Sequence, residues 1–117
     1  MAIAGYHVPS YAECTTLQTF LGGKPLAGGA MKDLGTSLWY PPNTGATNSS
    51  GFTSIPSGRR NADGTFVSSA TGNSYFWTTG VYQVVNGTTM VMAYNNTTFG
   101  DTSQGFKVGI PVRLIKD

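Results

Sequence analysis

His7 is the single histidine of the chain, Cys14 the single cysteine, and the carboxylates are Glu13, Asp33, Asp63, Asp101 and Asp117. A Ser-His-Asp relay would have to be built on His7, and the surrounding "YHVPS" presents no nucleophile elbow. His7 therefore reads as a hydrogen-bonded structural or surface imidazole. The acids are scattered: Glu13 is accounted for as a helix cap and Asp63 as the acid of a "DG" turn, which leaves no pair set for general acid–base work. One cysteine and one histidine do not complete a zinc shell. Cys14 cannot close an internal disulfide and reads as a buried structural thiol. The chain is expected to be no enzyme and to need no metal or cofactor.

Recognition chemistry is what these residue types leave. Between Thr79 and Ser103, aromatic rings alternate with short amides and hydroxyls, the mixture that contact surfaces favour because it adapts hydrogen bonds at low entropic cost. Tyr82, Gln83, Asn86, Tyr94, Asn95, Asn96, Thr98 and Phe99 are the candidate ligand-binding residues. Tyr75 and Trp77, inside the run "YFW", read as core.

Composition narrows the partner. Charged residues make up 10% of the 117 residues and the net charge is +2, with Arg59–Arg60 the only adjacent cationic pair. Without a basic stripe there is no electrostatic footprint for nucleic acid. No apolar run reaches the length of about 20 residues that spans a bilayer, so direct membrane insertion is not expected. The start "MAIAGYHVPS" lacks the charged and apolar regions of an export signal. Length predicts one domain over residues 1–117, expected to be part of a longer protein.

The elements that must position these residues fall into two halves. Ser10 with Glu13 forms a capping box, Tyr11, Cys14, Leu17 and Leu21 recur at helical spacing, and Gly22–Gly23 supply a stop, which predicts a first helix. A short second helix is expected from about Leu26 to Leu34 despite two internal glycines. Beyond Gly35 the pattern turns to strands, "SYFWTT", "VYQVV", "TTMVMAY" and "GFKVGIPVRLI". Asn86–Gly87 reads as a two-residue hairpin turn. In the last run Phe106, Val108, Ile110, Val112 and Leu114 alternate with polar or small residues, predicting one core-facing side and an edge or bulge at Pro111. Residues 39–60, "WYPPNTGATNSSGFTSIPSGRR", have no period. They predict a long ordered loop pinned by Trp39, Tyr40, Phe52 and Ile55, with Asn43, Thr47, Asn48 and Ser50 bonding nearby backbone.

The ordered blocks "GYHVPSYAE", "TLQTFLGG", "AGGAMK", "W-x-x-PNTGATN-x-SGF-x-x-x-P-x-G-R", "DG-x-F", "YFW" and "GF...VRLIKD" resemble the Fibrobacter succinogenes major paralogous domain (FISUMP) from about Gly5 to Asp117. The resemblance implies an α+β, C-type-lectin-like fold: two helices flanking small antiparallel sheets, neighbouring termini and a long ordered loop region. It makes Trp39, Asn43, Asn48, Gly51, Phe52, Pro56, Gly58, Trp77 and Arg113 mainly structural. Sugar-binding C-type lectins hold calcium with an acid before a proline, and "YPPNTG" has none, so a calcium site is not expected. Cys14 stands where the family usually has Trp, so packing under the first helix should differ. Leu114 replaces a frequent Cys, and the final strand departs from family spacing.

Together these readings predict a non-catalytic ligand-recognition domain, an adhesin or receptor-binding unit of a bacterial surface, pilus-tip or phage protein. The family also looks related to variable proteins diversified by retroelements. Its partner would be a protein or glycan on a host or neighbouring cell surface, or other subunits of a pilus or virion. The expected location is extracellular or at the cell surface within a larger exported protein, or in a virion. The alternative is a structural or assembly module of a virion or surface layer with no free ligand.

Overall fold

Ser10 opens the first helix by reciprocal bonding, its Oγ accepting from the Glu13 amide at 3.2 Å while the Glu13 carboxylate accepts from the Ser10 amide at 2.8 Å. The computed structural model describes residues 3–67 and 72–117. Within it, strand β1 (Tyr6–His7) leads into helix α1 (Tyr11–Phe20), which buries Cys14 and Gln18 while leaving Tyr11 exposed. Gln18 earns its buried place by donating Nε2 to the carbonyl of Phe99 at 2.6 Å.

Helix α2 (Lys24–Met31) starts and ends earlier than the expected Leu26–Leu34, because Lys32 already takes extended backbone at ψ 140°. Its glycines are contact residues. A Cβ at Gly28 would collide with the backbone of Thr98, and one at Gly29 would lie 2.5 Å from the carbonyl oxygen of Gly45. Backbone therefore approaches backbone where a helix former would hold it away.

A three-stranded antiparallel sheet follows, in the order β2 (Asn73–Tyr82), β3 (Asn86–Ala93), β4 (Phe99–Gly105). Thr88, Met90 and Met92 of β3 share a face with their β4 partners Ser103, Asp101 and Phe99. The core uses the inner part of that face: Met90, Met92 and Phe99 join Cys14, Ala27, Met31 and Trp39, with Leu17, Phe52 and Phe76 half-buried against them.

Two strand expectations need correction, and one strand was not anticipated. Asn86–Gly87 does not turn; Tyr82 pairs with Asn86 and Val81 with Gly87, and the chain reverses at Gln83–Val84–Val85, with Gln83 at φ 61°. Gly87 lacks a Cβ for another reason, since one would stand 2.6 Å from the Trp77 ring. "FGDTSQG", too polar to read as a strand, is β4, held by its ladder to β3. The terminal run alternates only in part: Val108, Ile110 and Leu114 are half-buried between exposed Lys107, Gly109, Pro111 and Arg113, but Phe106 and Val112 are exposed, and only β5 (Ile115–Lys116) is strand, paired with β1. Pro111 lies outside any strand, its carbonyl accepting from the Trp77 amide at 3.0 Å. The β1–β5 pairing brings the two ends of the described chain together.

The aperiodic middle is ordered by backbone bonds to α2. Thr47 donates to Gly29, Ser50 to Ala30 and Ser54 to Met31, each between 2.8 and 3.1 Å. Trp39 is buried with Nε1 on the Ser54 carbonyl, and Phe52 packs edge-on against Phe76. Tyr40 and Ile55, expected as buried anchors, are exposed. The Asn48 amide makes both bonds that hold Thr53 at φ 54°, a conformation a β-branched residue seldom adopts.

Lys32, fully buried, completes the brace. Its ammonium donates to the carbonyls of Thr44 (2.9 Å), Ala93 (3.1 Å) and Asn96 (2.9 Å) and lies 5.5 Å from the Trp39 ring centroid. Every proton of the cation thus has an acceptor, from two different chain reversals. Burial pushes its pKa down to about 8.

Candidate functional site

The sequence-derived binding residues divide between opposite ends of β3. Tyr82, Gln83 and Asn86 sit at the β2–β3 reversal, whereas Tyr94, Asn95, Asn96 and Thr98 form the β3–β4 connection. Across the 8 residues of β3 these ends lie about 25 Å apart. A single contact surface does not include both.

The far group is occupied with the fold. The Tyr94 ring meets Tyr40 edge-on, the Tyr94 carbonyl accepts from the Thr44 amide, and the Asn96 carbonyl binds Lys32. Asn96 Oδ1 also accepts from the Thr98 amide at 2.9 Å, a local turn bond that uses the side chain internally. Phe99 is a correction: it is buried in the core and unavailable to a ligand. Amides that bind ligands and amides that close turns are the same residue types, so composition alone does not separate the two roles.

The near group stands in open surface. Val84 is 92% exposed, and Val81, Tyr82, Val85 and Phe106 each exceed half exposure, which gathers apolar side chains at one end of the sheet. Val84, Val85 and Phe106 line one depression of 420 Å³ with Ala62, Lys107 and Val108. A second depression of 540 Å³ contains Tyr11, Tyr82, Thr88, Asp101, Thr102 and Ser103. Tyr11 comes from the first turn of α1 and Tyr82 from the end of β2, so two phenol rings flank a hydroxyl-rich strand pair. Lys24 forms an ion pair with Asp101, which raises the lysine pKa, and the charge at the cleft edge is largely neutralised. Sequence reading found Tyr82 here and missed Val84, Val85, Phe106 and Tyr11, because exposure of an apolar residue is a tertiary fact.

His7 offers no free base. Nδ1 lies 2.6 Å from Asp117 and Nε2 2.8 Å from Glu13, so both ring nitrogens are engaged. The Asp117 bond first and the Glu13 bond second raise the imidazole pKa. Glu13 is held down at about 2, chiefly by the Ser10 amide and hydroxyl and then by His7. Cys14 is buried and its thiol pushed up to about 11, which keeps it protonated and unreactive at neutral pH. Among the described residues no group of three or more His, Cys, Asp or Glu side chains is arranged to hold a metal ion, and no helix is long and apolar enough to cross a membrane.

A family model described as the Fibrobacter succinogenes major domain matches residues 2–116. No curated protein and no solved structure matches the chain.

Proposed function

The chain belongs to the Fibrobacter succinogenes major domain family, and we propose that it is a non-catalytic recognition domain of C-type-lectin-like fold whose working surface is the β2–β3 hairpin tip. The carrying observation is the cluster of exposed Val81, Tyr82, Val84, Val85 and Phe106 beside two depressions. Val84, Val85 and Phe106 line one depression together, and an exposed apolar patch of that kind is characteristic of surfaces that meet another macromolecule. The partner this chemistry favours is a protein surface, met by a larger exported bacterial or phage protein that carries the domain. A glycan is the second reading, favoured by the two tyrosines and the hydroxyls of the cleft, since aromatic faces and hydroxyls are what neutral sugars stack on and bond to.

The test replaces Tyr82 with Ala and Val84 and Val85 with Ser together. Binding to intact cells and to a glycan array should be lost while the melting temperature stays near that of wild type. As a control, Tyr94→Ala with Asn95→Ala and Asn96→Ala should lower the melting temperature first. Wild-type binding in the tip variant would end the assignment. Concentration-dependent self-association that the tip variant abolishes, without cell or glycan binding, would instead identify an assembly module.

A further inference from the structure

Beneath α1 the core is incompletely filled. A cavity of 370 Å³ lies between α1, the inner face of the sheet and the terminal segment around Arg113–Ile115. Cys14, Met31, Met90 and Phe99 close its floor, and half-buried Leu17, Phe52, Phe76 and Leu114 form its walls. The volume falls within the roughly 300–1,000 Å³ of small-molecule sites, which are mostly apolar with a few polar groups that fix orientation.

The polar groups at this mouth are unequal. Glu13 is already committed, its oxygens bonded to His7 and to the amide and hydroxyl of Ser10 at 2.8 Å each. Arg113 is exposed, its guanidinium 4.5 Å from the Phe52 ring centroid, and no described carboxylate lies within ion-pair distance of it. Its position over the Phe52 ring holds the guanidinium beside the opening, where its N–H fork is available to a planar anion. One cation beside an apolar hollow selects a molecule with one anionic head and an apolar body.

We propose that this cavity binds a medium-chain aliphatic carboxylate, its chain between Leu17, Phe52 and Phe76 and its carboxylate on Arg113. The site is independent of the hairpin tip and does not rest on its reading. Burying the chain removes both ligand and wall surface from water, while the carboxylate stays at the rim and avoids the cost of burying a charge.

Decanoate titrated into the intact protein should shift the methyl resonances of Met31 and Met90, which floor the cavity, and raise the melting temperature. Decanol should shift the same methyls more weakly. Arg113→Met should weaken decanoate binding about tenfold, to the level of decanol, and leave decanol unchanged. Cys14→Trp, which fills the hollow, should abolish both; if that variant fails to fold, Leu17→Trp is the substitute and the wild-type methyl shifts stand alone as the readout of location. Shifts confined to surface residues, or no binding by either probe, would overturn the site. Equal affinities for decanoate and decanol in the wild type would overturn the assignment of Arg113.

Discussion

Lys32 shows how one side chain can organise many residues. Its ammonium joins Thr44 in the long loop to Ala93 and Asn96 around the β3–β4 connection, with no carboxylate among its partners. Three carbonyl dipoles take the place of a counter-ion, and they remain buried if the cation is removed. Lys32→Met should therefore cost about 3 kcal/mol in urea unfolding, since a thioether offers these oxygens no donor. The pH dependence has a definite sign. Burial lowers the pKa from the ordinary 10.5 to about 8, so between these values the unfolded chain holds the proton that the folded chain has lost. Wild-type stability should gain from this group as pH rises through that window, and the gain should be absent in Lys32→Met. Parallel urea series at pH 7.5 and pH 10 measure it as a difference between the two proteins. A lysine in "AGGAMK" carries no sign of this role in sequence, because the acceptors are backbone atoms as many as 64 positions away.

At the level of elements, α1 and the terminal β1–β5 pair are joined by His7. The imidazole spans Asp117, next to β5, and Glu13, in the first turn of α1. Because its folded pKa is raised, the stability it contributes is present below about 6.5 and is lost as pH rises through the folded value. Glu13 works in the opposite direction. Its folded pKa of about 2 means that its contribution is present above the ordinary 4.5 and lost on acidification toward 2. Amide exchange at Ile115 and Lys116 should accordingly speed up beyond the intrinsic rate as pH rises above about 6.5 and through the raised folded value, and His7→Gln should remove that excess. Ser10→Ala tests the cap separately and should cost about 1 kcal/mol in urea unfolding. The cap was readable because all its atoms lie within four residues, as local chemistry dictates. The β2–β3 reversal was not: Asn86–Gly87 has strong hairpin propensity, but Trp77 requires a residue without Cβ at position 87, and this long-range contact moves the turn to Gln83–Val85.

Across the whole molecule, exposed apolar side chains and turn-closing amides lie where composition alone does not place them. The amide-rich Tyr94–Thr98 connection belongs to the framework, and the apolar Val84–Val85 pair belongs to the surface. Helix formation, the antiparallel β half and the ordered middle were legible because period, caps and turn residues are local. The polar strand β4 and the irregular terminal run were not, since each is defined by what lies beside it. Gly28 makes that dependence measurable. Its missing Cβ lets α2 lie directly on the Thr97–Thr98 backbone, while the next residue, Gly29, bonds to Thr97 and Thr47. Gly28→Ala should favour the isolated helix by propensity yet destabilise the domain by about 1–3 kcal/mol, because overpacking against backbone has no side chain to displace. The damage should spread along the contacts: amides of Thr47 and Ser50, which donate to Gly29 and Ala30, should lose exchange protection, while Met90 and Val91 in the central strand lose only what the global stability loses. Uniform loss at all four amides would mean that α2, loop and sheet open as one unit. Unchanged stability would mean that the close approach at Gly28 is not what holds the helix to the sheet.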